Sequence, residues 1–200
     1  MAINLQKGQK VNLEKKSGSG LGEILVNLNW NSRVNGKGFL ASLLGRQSID
    51  LDLGCLYELK NGKKGTVQAL GNAFGSLSRA PYIALDGDDR TGAVAAGENL
   101  RINGNKLSEF KRILVYTFIY EGIANWQQAD AIVTIKYPGA EDIIVKMDDY
   151  NSSNKMCGLV LMENQNDSTF SVEKIVKFYQ SHQTLDRAFN WGMRWTAGRK

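Results

Sequence analysis

Asp86, Asp88 and Asp89 fall within four residues of one another in the run L-D-G-D-D-R-T-G-A-V-A-A-G-E-N-L, from Leu85 to Leu100. Glu98 follows after two more glycines. The chain as a whole carries a net charge of +5, so this concentration of acid stands out. A solvated turn, a phosphate cradle and a site for a hard cation are the three chemistries such a loop can serve. Gly87, Gly92 and Gly97 fit neither G-x-x-x-x-G-K-[ST] nor G-x-G-x-x-G, and carboxylates would repel a phosphate. An EF-hand frame begins well on Asp86 and Asp88, but it then puts Arg90 and Thr91 where an oxygen ligand and the obligatory glycine belong. Its twelfth position is Gly97, not a bidentate glutamate. An irregular site remains open, because Ca²⁺ takes about six to eight oxygens from carboxylates, carbonyls and water.

A second acidic pair supports that possibility. Ser48 to Leu53 reads S-I-D-L-D-L, which as a strand puts Asp50 and Asp52 on one face and Ile49, Leu51 and Leu53 on the other. Unit charges about 4 Å apart repel by roughly 1 kcal/mol in water and several-fold more near a protein surface. Convergence of this pair on the 86–89 run would therefore call for a counter-ion. Two solvated acidic turns are the alternative that spacing alone leaves open.

The elements that must position these acids are strands. Twenty-one glycines, two prolines and many short apolar runs between turn signals point to an all-β chain. Glu23 to Trp30 alternates as a half-buried strand, and Arg112 to Tyr120 has apolar residues on both faces, as a central strand does. Ala131 to Tyr137 and Ile143 to Met147 form a hairpin around P-G-A-E-D, and Met156 to Met162 adds another strand. Phe189, Trp191, Met193 and Trp195 share one side of a period-two pattern that predicts a closing strand. Val172, Ile175, Val176 and Tyr179 share a helical face behind a Ser171 cap and predict a short helix. The expected fold class is a two-sheet antiparallel β-sandwich with at most one or two short helices, formed by residues 1–200 as a single domain.

Other functions find less support. His182 is the sole histidine, and pairing it with Cys55 or Cys157 lacks any nucleophile turn, so no enzyme is expected. The cysteines are far apart and form no C-x-x-C pair, as suits free thiols in a reducing compartment. Lysines and arginines are scattered over Lys7–Lys16, Lys60–Lys64 and Arg194–Lys200, without the aromatic interleaving of a specific nucleic-acid site. No stretch approaches the roughly 18 apolar residues of a spanning helix, and no signal peptide opens the chain, so a cytoplasmic protein is expected.

Several motifs in order carry a resemblance. I-N-L-Q-K-G-Q-K-V-N-L (Ile3–Leu13), L-N-W-N (Leu28–Asn31), I-D-L-D-L-G-C (Ile49–Cys55) and G-D-D-R-T-G (Gly87–Gly92) resemble the TerD-type tellurium-resistance stress-protein family. Y-E-G-I-A-N-W (Tyr120–Trp126), V-T-I-K-Y-P-G (Val133–Gly139) and S-H-Q-T-L-D-R-A-F-N-W-G (Ser181–Gly192) look closest to its TerA branch. The resemblance implies a β-sandwich that binds calcium at one edge and a non-enzymatic role in bacterial stress resistance. It implies Asp50, Asp52, Asp88 and Asp89 as ligands, with Glu98 added and Asp86 beside them. Asn31 replaces the family's aspartate, keeping an oxygen but losing a charge, and Ala93 to Ala96 replace a commonly acidic run. Both changes should weaken affinity. Implied partners are other tellurium-resistance proteins in a complex peripheral to the inner membrane. A calcium-assisted module for an anionic lipid, carbohydrate or other acidic ligand is the second reading.

Overall fold

The computed structural model describes residues 2–14, 20–31, 49–86, 97–121, 125–147, 150 and 153–196. Thirteen strands make two facing sheets among them. The first has the order β1(Ile3–Asn4), β11(Ile143–Lys146), β10(Ile132–Lys136), β3(Glu23–Asn29), β8(Glu98–Asn103), β7(Ile83–Leu85), β6(Gly75–Ser76). The second runs β2(Lys10–Asn12), β13(Thr169–Tyr179), β12(Met156–Gln165), β9(Phe110–Glu121), β4(Asp50–Leu59), β5(Lys64–Gln68). Pairing is antiparallel except for the two-residue β1–β11 contact, which is parallel. Among the described residues helix is confined to α1(Trp126–Ala129), α2(His182–Ala188) and two 3-10 segments, Leu70–Asn72 and Gly104–Glu109. Among the described residues no helix is long and apolar enough to cross a membrane.

Alternation of side chains explains where the core sits. On β3, Ile24, Val26 and Leu28 are fully buried between the sheets, while Glu23 and Asn29 are exposed. The central strand β9 is covered on both sides: Ile113, Val115 and Ile119 join the inter-sheet core, and Leu114, Tyr116 and Phe118 join a second cluster on the outer face of the six-stranded sheet. β10 and β11 pair as the expected hairpin, Ile135 opposite Ile143 and Val133 opposite Val145.

The helix expected over Val172–Tyr179 is instead the second half of β13. Its register against β12 shifts between Gly158 and Val160, so that Lys177 faces Gly158 and Lys174 faces Val160. Val176 sits in this irregularity at φ 36°. An extra residue in a period-two strand spaces the buried Val172, Val176 and Tyr179 by four and three, which imitates a helical face. Lys174, at 1% exposure, occupies an inward position and further masks the alternation.

The closing strand expected over Phe189–Trp195 also does not form. Ser181 and Thr184 exchange the two hydrogen bonds of a capping box and start α2. The chain then runs over the outer cluster without joining a ladder. Its polar groups are met by side chains: Asp186 accepts from the Gly192 and Met193 amides at 2.9 and 3.0 Å and from Trp195 Nε1 at 3.0 Å. Arg112 donates to the Phe189 and Asn190 carbonyls, and Lys64 to that of Trp191. The guanidinium of Arg112 also stacks 3.9 Å from the Trp191 ring, which is fully buried and donates to the Tyr57 carbonyl. The four apolar residues therefore cover the sheet as their pattern implies, but as a strap of α2 and tail.

His182 stands at the start of this strap, its ring centroid 5.3 Å from Tyr116, 5.0 Å from Phe118 and 5.2 Å from Trp195. Burial lowers its pKa to about 4. An unfolded histidine titrates near 6.5, so from about pH 6.5 down to 4 the unfolded chain holds the extra proton and native stability falls as pH falls. Urea unfolding should show a larger drop in midpoint from pH 7 to pH 4.5 for the wild type than for His182→Leu. Equal drops would remove His182 from the acid response.

Candidate metal site

Five strand termini meet at one end of the sandwich. Leu28, next to the end of β3, pairs with Glu98 at the start of β8, and Leu85 at the end of β7 pairs with Leu100. Across the second sheet, Asp50 at the start of β4 lies opposite Glu121 at the end of β9. Two side-chain bonds lock the sheets together here. Trp30 Nε1 donates to the Ile49 carbonyl at 3.0 Å, and Glu98 Oε2 accepts from the Leu53 amide at 2.5 Å. The first bond fixes where β4 begins. The second satisfies an amide on the part of β4 that extends beyond its pairing with β5, which starts at Gly54.

Three candidate ligands from the sequence are buried carboxylates at this end: Asp50 at 7%, Asp52 at 0% and Glu98 at 2% exposure. Glu98 points between the sheets with Leu100 and Ile102, its neighbours on the buried face of β8. Asp52 takes the opposite side of β4, opposite Phe118, while Leu51 and Leu53 face the inter-sheet core. Glu98 thus meets the Leu53 amide from between the sheets, while the Asp52 side chain leaves β4 on the other face. Burying charge costs several kcal/mol per ion unless opposite charge or a proton offsets it.

Asn31 lies exposed just past β3, its amide bonded to the Ala129 carbonyl at 2.7 Å. Asp86 follows β7 and is held by an ion pair: Arg101 Nε donates to its Oδ2 at 2.6 Å while Nη1 donates to Glu23 Oε1 at 2.5 Å. The two carboxylates raise the guanidinium's pKa further. Asp88 and Asp89 lie outside the described residues, but Asp86 and Gly97, on either side of segment 87–96, both sit at this end. Among the described residues, no group of three or more His, Cys, Asp or Glu is arranged to hold a metal ion. Sequence reasoning passed over Glu121. It stands opposite Asp50 in the ladder, next to a register shift between Asp50 and Leu51.

Gly97 has the local conformation that lets Glu98 enter the core. Its φ is 63°, and a Cβ there would lie 2.1 Å from the Leu28 carbonyl oxygen. Gly97→Ala should therefore cost about 1–3 kcal/mol through backbone strain alone, with the clash added to it. A urea midpoint equal to that of the wild type would show that this close approach is not needed.

The TerD domain family matches residues 1–137. The chain is 40% identical over 191 residues to the tellurium resistance protein TerA of an Alcaligenes species, a match covering 95% of this chain and 56% of the relative. It is 32% identical over 139 residues to the tellurium resistance protein TerX of Serratia marcescens, covering 61% of this chain and 64% of that protein. Stress response protein SCP2 of Bacillus subtilis is 39% identical over 105 residues, 51% of each chain. The chain therefore spans about half to two-thirds of the length of the curated relatives it matches. A crystal structure of a homologue of the telluride resistance protein TerD from Streptomyces coelicolor shares the fold, with a TM-score of 0.57 at 16% identity over 84% of this chain and 95% of that one. A crystal structure of a protein of unknown function, SAV2460, gives 0.55 at 16% identity over 82% and 92%. Matched through its first two-thirds by the family and through nearly its whole length by TerA, the chain belongs to the TerD family of tellurium-resistance and stress-response proteins.

Proposed function

We propose that this chain is a calcium-binding, non-enzymatic docking module of the tellurium-resistance stress response. One observation carries the reading: Asp50, Asp52 and Glu98 are buried at the end of the sandwich where Asp86 and Gly97 flank the segment bearing Asp88 and Asp89. Asp50, Asp52, Asp88 and Asp89 would hold the ion, with Asn31 adding a neutral oxygen, while Glu98, which reaches β4 from the other face, holds the Leu53 amide. Asp86, engaged by Arg101, serves to anchor the segment. Bound calcium would supply positive charge among these carboxylates, and hard oxygen donors suit it. The residues themselves do the rest: Trp30 and Glu98 hold the two sheets in place while opposed carboxylates draw together or spread.

A non-enzymatic role is supported by the state of the nucleophile candidates. Cys55 is fully buried, and burial pushes its thiol pKa up to about 12, so no thiolate is available near neutral pH. His182 is packed among aromatic rings rather than beside either cysteine. The docking end is assigned to other tellurium-resistance proteins, as a scaffold at the inner membrane.

The test is a melt in calcium and in chelator. Calcium at about 100 times its dissociation constant stabilises by about 2.7 kcal/mol, a rise in Tm of roughly 5–10 °C for a chain of this size. Asp88→Asn and Asp50→Asn should each shrink that rise, and metal analysis of the purified protein should find calcium. An identical Tm in millimolar calcium and in chelator would overturn the proposal. Retention on anionic liposomes or glycans, without capture of tellurium-resistance proteins, would replace the scaffold with a calcium-assisted ligand module.

A further inference from the structure

Cations that lie far apart in sequence meet at one corner of the sandwich. β4 ends where β9 begins, Leu59 opposite Phe110, and the turn at residues 60–63 leads on into β5. Lys60, Lys63 and Lys64 therefore stand on one hairpin, beside Lys111 and Arg112 on β9 and Lys106 on the 3-10 segment Gly104–Glu109 that precedes it. The Lys60 amide donates to the Glu109 carbonyl at 2.8 Å and ties hairpin to segment. Three acids share the corner. Glu58 takes Lys111 and Arg112, with Lys64 3.8 Å away, Asp167 takes Lys60 at 2.5 Å, and Glu109 closes the 3-10 segment. The six cations exceed these acids by three charges, in a chain whose total is +5.

The excess is presented outward on a preformed turn. Lys60, Lys63, Lys106 and Lys111 are exposed. The Leu59 amide donates to the Lys63 carbonyl at 2.9 Å, the Lys63 amide to Asn61 Oδ1 at 3.0 Å, and Gly62 supplies the φ of 86° that the turn requires. Among the described residues, a Cβ at Gly62 would meet no atom within 4 Å, so the tip stands clear of the sandwich. A rigid, convex cluster of ammonium groups fits a flat field of phosphates, since each lysine acts there as a point charge. Single-stranded nucleic acid is held instead in a groove that offers aromatic faces to the bases. Here the Tyr82 ring lies beneath Lys106, 5.6 Å from its Nζ. On the far side of the same end, Glu14, Glu141 and Asp142 line a cleft beside β1 and β2. A negative surface therefore meets the molecule on its β5 side.

We infer that the corner formed by residues 60–64, Lys106 and Lys111 docks this chain on an anionic phospholipid bilayer, without calcium. The inference rests on the scaffold reading above for the membrane itself, and it is independent of the calcium in that reading. It also sets an orientation. β4 has ten residues between Asp50 and Leu59, about 30 Å at roughly 3.3 Å per residue, whereas surface charge reaches only about 10 Å at 0.1 M salt. With the basic corner on the bilayer, the end bearing Asp50 and Asp52 lies beyond that field and stays open to other proteins.

Co-sedimentation of the full chain with vesicles, in chelator and at low salt, tests this. The wild type should spin down with vesicles of phosphatidylglycerol and phosphatidylcholine but not with phosphatidylcholine alone, and about 1 M salt, where the Debye length falls to about 3 Å, should release it. Lys63→Gln and Lys106→Gln should each weaken binding about 5-fold and together about 25-fold, the effect of one and two charges at such a surface. Both side chains are exposed, and circular dichroism checks that the variants fold. Lys146→Gln, at the end of β11 opposite Ile132, makes the same change in net charge at the other end of the sandwich and should leave affinity within about 2-fold. An equal loss from Lys146→Gln would assign the binding to total charge and overturn the corner. So would retention only in calcium, or none in chelator. Tighter binding to duplex DNA than to the vesicles would overturn the bilayer as partner. Each of these results leaves the calcium melt to be judged by itself, and a failed melt leaves the bilayer contact standing.

Discussion

A single carboxylate crosses the interior to reach the opposite sheet. Glu98 begins β8 in the seven-stranded sheet and accepts from the Leu53 amide in the six-stranded one. The bond explains both the glycine before it and the unpaired length of β4 in front of it. Gly97 alone tolerates the approach to the Leu28 carbonyl, and β5 stops at Gln68, opposite Gly54, leaving the Leu53 amide for a side chain. Removing the charge-bearing oxygen would strand a buried amide, a loss of about 1–3 kcal/mol before any effect on neighbouring acids. The acidic end is thus part of the structure as well as a candidate for chemistry.

The opposite end handles a buried acid differently. Glu58, near the end of β4, is 5% exposed and bonds Lys111 at 2.8 Å and Arg112 at 2.7 Å, with Lys64 3.8 Å away. Burial alone would raise its pKa, but the hydrogen bonds from Lys111 and Arg112 outweigh burial and hold it below the usual range. Arg112 then uses its remaining donors on the tail carbonyls. One strand, β4, therefore begins with acids gathered together and ends with an acid neutralised by this chain's own cations.

Much of this architecture was legible from local pattern. Strands β3, β9, β10, β11 and β12 follow directly from period-two alternation or from apolar residues on both faces. Misreadings occurred where distant residues decided the outcome. The bulge in β13 depends on its register with β12, and no window of its own sequence distinguishes an inserted residue from a helical repeat. The tail pattern at Phe189–Trp195 identified a covering face correctly, yet the partners for its backbone are Arg112, Lys64 and Asp186 rather than another strand. At the candidate site, Asp50 and Asp52 were readable as a strand pair and Glu98 as an acid that the family resemblance implies. Their separate faces were not, because the side of a sheet on which Glu98 arrives is set by pairing with Leu28. Glu121 was invisible for the same reason: its position opposite Asp50 is a product of register.

The margins of the sheets among the described residues are short. β1 and β6, which border one sheet, are two residues long, and β2, which borders the other, is three and begins at Lys10. The remaining border, β5, has five residues and opens with Lys64. Such brief, lysine-marked margins give an unfolding neighbour little backbone to template upon. Among the described residues, the two sheets thus leave few free backbone groups on which another chain's strand could pair.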